Sequence, residues 1–195
     1  MFDQLRTNFS RFVELTEAEF EEFTAKMKPK TLEKNEFFLR EGEVCTKAIF
    51  INTGCLRYFF TVDGMEKTGQ FFFESTWYTD LESYLSGEPS EQNIQALETT
   101  QCLVINKADL LQLYAQSHKF ERFGRLLVEH GFLGLRHKNK ILTNMSPEER
   151  YLDLIQNRPK VIDRVLQVHI ASYLGIQPES LSRIRKRIFE QRKRT

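Results

Sequence analysis

Residues 169–188 have the sequence HIASYLGIQPESLSRIRKRI, which predicts two short helices joined by a tight turn. Ala171 is small where the two helices must cross, and Gly175 can adopt the left-handed conformation that such a turn requires. Pro178 forfeits no helical hydrogen bond at the first position of a helix, so it marks where the second helix starts. The apolar face consists of Ile170, Leu174, Ile176, Leu181, Ile184 and Ile188. The stretch therefore predicts a helix-turn-helix.

The predicted second helix has short polar groups and an arginine in its first turns and basic residues further on. Seven of the 13 residues from Arg183 to Thr195 are basic and one is acidic. Arg183 can donate two hydrogen bonds to guanine, and Glu179 can accept one from cytosine. Lys186, Arg187 and the basic tail suit phosphates. We expect DNA contacts from Gln177, Pro178, Glu179, Ser180, Ser182, Arg183, Lys186 and Arg187, which makes double-stranded DNA the predicted partner.

The net charge of +1 conceals an asymmetry between the two parts of the chain. Residues 147–195 carry 11 Lys and Arg against six Asp and Glu, whereas residues 1–146 carry 17 against 21. A basic C-terminal segment on a mildly acidic body favours binding to a polyanion. On charge alone, a solvated basic helix end explains the pattern equally well.

Residues 30–105 have a different texture, with short runs of Phe, Ile, Val, Thr and Tyr separated by turn signals. Strands at intervals of about ten residues predict an antiparallel sandwich or barrel. The clearest hairpin turns at Asp63-Gly64, because this dipeptide supplies the positive φ of a tight turn. Upstream of the strands, Thr16 is a predicted N-cap of a helix that extends to Met27. Cys45, Cys55 and Cys102 form no C-x-x-C pair, so we expect buried thiols and no metal site.

Downstream of the strands, Asn106 is a predicted cap of a short helix, and a longer helix is expected over residues 118–144. Two rows recur every seven residues, as in a coiled-coil seam. They are Phe120, Leu127, Gly134 and Ile141, and Phe123, His130, His137 and Asn144. We therefore expect a homodimer through residues 118–144. The alternative is a helix that packs on its own β domain.

Ser146, with Pro147 and Glu149 after it, is a strong helix start with a capping box, which places a domain boundary at Met145-Ser146. The predicted domains are residues 1–117, the long helix at 118–145 and the helix-turn-helix domain at 146–195.

This order of elements resembles the Crp/Fnr family of bacterial transcription regulators. In the β part, Gly42-Glu43, Phe50-Ile51, Gly54 and Leu56-Arg57 are similar to the family's entry pattern. In the predicted second helix, Glu179, Ser182 and Arg183 match the E-x-x-S-R arrangement of the Fnr-like branch. The resemblance implies an α+β chain with an N-terminal antiparallel β-roll of the jelly-roll type and flanking helices. A long dimerisation helix and a helix-turn-helix domain follow, with the usual wing reduced or absent.

The same resemblance implies base reading by Glu179 and Arg183, with Ser182 nearby. The expected function is regulation of transcription by a homodimer on an inverted-repeat operator. RNA polymerase and a small-molecule effector are further candidate partners. The sequence lacks a secretory signal pattern and an apolar run of about 20 residues, so a cytoplasmic protein without a membrane partner is expected.

One departure from the family concerns the pocket for a cyclic nucleotide. Where the family's cyclic-nucleotide binders have Gly-Glu-Leu and then Arg-Ser or Arg-Thr, this chain has Thr79-Asp80-Leu81 and Ser90-Glu91. An anionic phosphate loses its cationic partner and gains a carboxylate, and both changes oppose binding. The candidate pocket residues are Asp80, Leu81, Glu82, Ser90 and Glu91. No cofactor and no response to cyclic AMP are expected.

Two alternatives start from the same residues. A cyclic nucleotide bound by unconventional contacts would use Asp80 on a ribose hydroxyl, with Arg57 as a substitute cation. A cupin-like enzyme would use the Asp80 and Glu82 pair. Cupin metal sites rely on strand histidines, and residues 1–117 contain none, so we expect no enzyme and no catalytic residue.

Overall fold

The computed structural model describes residues 2–192, and these residues group into two units. Unit 1 comprises residues 1–58 and 71–132, and unit 2 comprises residues 59–70 and 133–195. The basic tail at 193–195, which was predicted to contact phosphates, lies outside the described residues. Spatial grouping thus separates the chain within its long helix and assigns the tip of one β-hairpin to the C-terminal unit.

Within residues 2–192, eight strands form the two sheets of an antiparallel β-roll, as the resemblance implied. The strands are β1 Lys28–Leu32, β2 Phe37–Leu39, β3 Lys47–Thr53, β4 Leu56–Val62, β5 Met65–Phe72, β6 Thr76–Tyr78, β7 Asn93–Ala96 and β8 Thr100–Asn106. One sheet has the order β1-β8-β3-β6, and the other has the order β2-β7-β4-β5. In the first sheet, Ile49 of β3 pairs with Val104 of β8, and Ile51 pairs with Cys102.

Strand β3 is buried on both faces of its sheet. Successive side chains of a strand point to opposite sides, so alternate residues of β3 pack in two different clusters. Ile49 and Ile51 pack between the sheets against Leu56 and Ile94. Ala48 and Phe50 pack on the other side against helices. A strand buried on both faces reads as a continuous apolar run, which is what residues 48–51 show.

The helices associated with unit 1 are α1 Asp3–Ser10, α2 Glu17–Ala25, α3 Leu81–Ser86, α4 Lys107–Gln116 and the first half of α5 His118–Asn144. Thr16 caps α2 with the predicted side-chain contact and completes a capping box with Glu19. Asn106 precedes α4, but its side chain makes no cap hydrogen bond. Its amide instead donates to Asp109 Oδ2 at 3.2 Å. Asn106 is therefore the N-cap residue of α4, as predicted, but without a side-chain cap hydrogen bond.

In helix α5, the first residue of each predicted seven-residue row is buried in the chain's own core. Phe120 and Phe123 are 0% and 2% exposed, and the Phe123 ring stacks on Phe9 with centroids 3.8 Å apart. The alternative, a helix packed on its own β domain, thus holds for the first turns of α5. An exposed apolar row outside both predicted rows consists of Val128, Phe132 and Leu135, at helical spacing.

The described part of unit 2 contains the tip of the β4–β5 hairpin, the second half of α5, and four further helices. These are α6 Pro147–Asn157, α7 Pro159–Arg164, α8 Gln167–Leu174 and α9 Pro178–Arg192. The predicted primed turn is present, with φ of 52° at Asp63 and 73° at Gly64. Ser146 caps α6 and forms the predicted capping box with Glu149. Helix α9 is the last described element. The side chains of Cys45, Cys55 and Cys102 are buried, as predicted.

A glycine of the β-roll is required by both conformation and space. Gly54 has φ of +104°, and a Cβ atom added there would lie 2.6 Å from the backbone Cα of Thr100. Gly42 also has positive φ, at +88°, but a Cβ added there meets nothing within 4 Å. Substitutions at the two glycines therefore distinguish the free-energy cost of a left-handed side-chain-bearing residue from the cost of the steric clash.

We predict that Gly54→Ala destabilises the protein more than Gly42→Ala does. Both substitutions place a side chain on a left-handed residue, which destabilises the folded chain. Only Gly54→Ala must also displace the backbone at Thr100, which adds about 1–3 kcal/mol. Chemical denaturation of the two variants measures the difference in the free energy of unfolding. Equal losses would contradict the role given to the contact with Thr100.

Candidate functional site

Helices α8 and α9 of unit 2 form the predicted helix-turn-helix. Gly175 ends α8 in the left-handed conformation, with φ of 71° and ψ of 31°. Its N–H donates to the carbonyl of Ser172, and the N–H of Ile176 donates to that of Ala171, both within 3.1 Å. These two bonds give partners to carbonyl groups that have no donor at the end of a helix. Residues adjacent in the sequence therefore stabilise the turn. Of the predicted apolar face, Ile170, Leu174, Leu181, Ile184 and Ile188 are buried and Ile176 is half-buried.

The polar residues predicted to meet DNA lie at the start of α9 and along its outer sides. Seven of the eight are exposed, namely Gln177, Pro178, Glu179, Ser182, Arg183, Lys186 and Arg187, while Ser180 is half-buried. Arg183 Nη2 donates to Ser180 Oγ at 3.3 Å. Arg187 Nη1 lies 3.0 Å from a carboxylate oxygen of Glu148. The helix thus presents one continuous polar surface, two of whose cations already have partners within the unit.

Arg150 of α6 holds helix ends together in unit 2. Its guanidinium donates to the carbonyls of Leu142, Met145 and Leu174 at 2.7, 2.9 and 2.9 Å. These carbonyls lie at or just after the C-terminal ends of α5 and α8, where no intrahelical donor remains. Sequence reasoning missed this residue, because an arginine that binds backbone carbonyls has no local pattern.

The tip of the β4–β5 hairpin contacts α8 through Ser172. The hydroxyl of Ser172 donates to the carbonyl of Glu66 at 2.8 Å and accepts from the N–H of Thr68 at 2.9 Å. Strand β5 is at the edge of its sheet, so its outer N–H and C=O groups need such partners. Ser172 therefore satisfies the free edge of β5 and joins the hairpin tip to the helix-turn-helix.

Two cations and an aromatic ring extend this contact. Lys138 of α5 donates to the carbonyl of Gly69, and its Nζ lies 4.6 Å from the centroid of the Tyr173 ring. Arg158 donates to Gln70 and, at 3.2 Å, to the hydroxyl of Tyr173. Burial and, to a smaller extent, the positive charge of Arg158 together lower the pKa of Lys138 to about 8. Sequence reasoning did not find this cluster, because its members are far apart in the chain.

In unit 1, two of the five candidate pocket residues come together. Asp80 and Ser90 are 4% and 3% exposed, and Ser90 Oγ donates to Asp80 Oδ2 at 2.5 Å. The side chains of Leu81, Glu82 and Glu91 are exposed. The Asp80 and Glu82 pair of the enzyme alternative is thus divided between the interior and the surface.

Aromatic rings and amides fill the neighbourhood of Asp80 and Ser90. The Tyr78 ring stacks on Tyr58 and Phe72, with centroids 5.6 and 3.9 Å away. The Tyr78 hydroxyl donates to Gln92 Oε1 at 3.0 Å, and burial raises the pKa of Tyr78 well above its usual value. Buried Arg57 donates to Gln95 Oε1 at 2.7 Å. Sequence reasoning did not single out Gln92 or Gln95, since a buried amide has no sequence signal.

Comparisons with known proteins bear on both units. The profile of the cyclic nucleotide-binding domain matches residues 29–117. No curated protein sequence is significantly similar to the chain as a whole. Among the described residues, no helix is both long and apolar enough to cross a membrane.

Several solved structures share the fold of most of this chain. FixK2 from Bradyrhizobium japonicum has a TM-score of 0.71 and 16% identity, over 85% of each chain. A putative transcriptional regulator of the Crp/Fnr family from Eubacterium rectale has a TM-score of 0.72 and 16% identity, over 91% of this chain and 85% of that one.

A third structure, the c-di-GMP responsive global regulator CLP from Xanthomonas campestris, has a TM-score of 0.70 and 16% identity, over 90% and 93%. The chain therefore has the fold of Crp/Fnr transcriptional regulators.

We predict that Lys138 makes stability rise with pH between about 8 and 10. Its pKa is lower in the folded chain, about 8 against 10.5, so the unfolded chain binds more protons in this window. Lys138→Met keeps the apolar stem and removes the titration. From pH 7.5 to 9.5 the native protein should gain about 1–2 kcal/mol relative to this variant in urea denaturation, since the slope per pH unit is at most about 1.4 kcal/mol. A difference that stays constant with pH would contradict the burial of a charged Lys138.

Proposed function

We propose that this chain is a sequence-specific DNA-binding transcriptional regulator of the Crp/Fnr type that acts as a homodimer on an inverted-repeat operator. The observation that carries the proposal is the exposed polar surface of α9, positioned by the buried apolar face of α8 and α9 and by the turn at Gly175. In a helix-turn-helix, the second helix enters the major groove with its first residues on base edges. Such a regulator works in the bacterial cytoplasm, with RNA polymerase as a candidate partner.

The proposal assigns base contacts to Glu179 and Arg183, and phosphate contacts to Lys186 and Arg187. Glu179 and Arg183 lie one turn apart near the start of α9, and Lys186 and Arg187 lie about one turn further on. Gln177, Pro178, Ser180 and Ser182 complete the surface around the helix start. Short side chains there allow the backbone to approach the bases, so the first two turns of α9 determine the preferred sequence.

We predict that Arg183→Ala lowers affinity for the preferred site by about 1–3 kcal/mol and relaxes its specificity. Lys186→Ala should weaken binding to all duplexes equally and flatten the salt dependence, because phosphate contacts carry no sequence information. Fluorescence anisotropy with preferred and random duplexes measures both effects. An equal loss on the two duplexes for Arg183→Ala would overturn its assignment to a base.

The proposed dimer uses the exposed apolar row of α5. Val128, Phe132 and Leu135 are 47%, 57% and 49% exposed and follow one another at helical spacing. Large apolar side chains that cluster on one helix face are typical of a helix pair. Gly131 and Gly134 lie within the same stretch, and open space surrounds the position of a Cβ at each. A second copy of α5 can therefore approach closely here.

We predict that Leu135→Glu converts the dimer to a monomer at micromolar concentration. Twofold symmetry places two such carboxylates in one interface, and burial of unpaired charges costs several kcal/mol, so the dimer should weaken about 100-fold or more. Leu85→Glu on α3, where the leucine is 67% exposed, is the matched control and should stay dimeric. Light scattering measures the mass. A wild-type monomer would contradict the dimer itself.

The next part of the proposal concerns the effector of the β-roll. We propose that the β-roll does not respond to cyclic AMP, because Asp80 accepts from Ser90 where the family's binders place a cation for the cyclic phosphate. No catalysis is proposed either, since Asp80 is buried and Glu82 exposed, with no histidine before His118. An effector of another chemical class remains a candidate partner.

We predict no calorimetric heat and no thermal shift with millimolar cyclic AMP or cyclic GMP. An anion enclosed near Asp80 without a cation is opposed by several kcal/mol. Ser90→Arg introduces the missing cation as a positive comparison. A micromolar complex with the native chain would instead favour the alternative, a regulator that binds its nucleotide by unconventional contacts such as Arg57.

A further inference from the structure

Arg187 of α9 is paired with Glu148 of α6. Its Nη1 atom lies 3.0 Å from Glu148 Oε2, and the two side chains are 58% and 28% exposed. Arg187 is also one of the two cations on α9 that the proposed function assigns to phosphates. The same guanidinium therefore has two competing anionic partners, a carboxylate of its own unit and a phosphate of the DNA.

The position of Glu148 in the fold favours its charged form and its reach to α9. Glu148 is the second residue of α6, and the free N–H groups of a helix start stabilise a carboxylate nearby. Its neighbour Glu149 is already used by the capping box, where Oε2 accepts from the N–H of Ser146 at 2.7 Å. Of two adjacent glutamates, one thus closes the helix cap and the other contacts α9.

Resting on the proposed DNA binding, we propose that Glu148 is an internal competitor for the phosphate at Arg187 and limits the affinity of α9 for DNA of any sequence. When Arg187 contacts a phosphate, it gives up the carboxylate, and Glu148 then lies near a phosphate of the same sign. Both effects oppose binding. Because phosphate contacts carry no sequence information, the limit applies equally to preferred and random duplexes.

The test is a salt titration of binding with Glu148→Gln and Glu148→Asp. Glutamine removes the charge, whereas aspartate keeps the charge and shortens the side chain by one methylene. Each variant should bind preferred and random duplexes about three- to fivefold more tightly, because an exposed ion pair of this kind is worth up to about 1 kcal/mol. For Glu148→Gln, the slope of log K against log salt should steepen by up to about one unit, because no carboxylate is left to take up a cation when Arg187 moves to a phosphate.

Two controls separate the pair from a general effect of charge. Asp153→Asn removes one charge from the same helix, where Asp153 contacts Asn157 at 2.7 Å and not α9, and should change affinity less than twofold. In an Arg187→Ala background, Glu148→Gln should produce a clearly smaller gain, because only the repulsion between Glu148 and the phosphate is left to remove. A destabilised α6 would weaken binding, so misfolding cannot imitate the expected increase.

The outcomes distinguish this inference from the function on which it rests. If the native chain binds neither selected nor random duplexes, the DNA-binding proposal fails and the inference falls with it. If the native chain binds DNA but neither Glu148 variant binds more tightly, the inference alone is overturned. An equal gain in the Arg187→Ala background would also overturn it, because the effect would then come from charge and not from the pair.

Discussion

The geometry of unit 2 depends on the guanidinium of Arg150. Helices end with carbonyl groups that have no intrahelical donor, and these groups must find partners when they are removed from water. Arg150 supplies N–H groups to three of them, at the ends of α5 and α8. Because Arg150 itself belongs to α6, one side chain fixes three helices with respect to one another. The direction of α9 then follows from the tight turn at Gly175.

A second constraint acts on α8 from the β4–β5 hairpin tip. Ser172 satisfies the backbone of the edge strand β5, and Lys138 and Arg158 flank Tyr173. The helix that supports α9 is therefore held on two sides, by helix ends and by a strand edge. In the β-roll, the hydroxyl of Ser90 donates a buried hydrogen bond to Asp80. The fold is shared with the family, but function depends on the residues of the site.

Local features were predictable from the sequence, and long-range ones were not. The turn at Asp63-Gly64, the caps at Thr16 and Ser146 and the left-handed Gly175 all depend on a few adjacent residues, and the structure has each of them. Only the first residue of each seven-residue row of α5 is buried in the chain's own core. The sequence did not indicate this, because periodicity alone does not distinguish a face buried in that core from one left for a partner. Phe120 and Phe123 belong to the first kind, and Phe132 and Leu135 to the second. The contacts of Arg150, Ser172 and Glu148 join distant or unpatterned positions, so no sequence signal indicated them.

The most direct test of the central claim is selection of bound duplexes from a random DNA pool with the purified protein. A homodimer with one reading helix per copy should enrich an inverted repeat whose half-sites are centred about 34 Å, or one helical turn, apart. Enrichment of such a site would support both sequence-specific binding by α9 and the dimer through α5. A pool that shows no enrichment, or that yields a single unrepeated motif, would contradict the account.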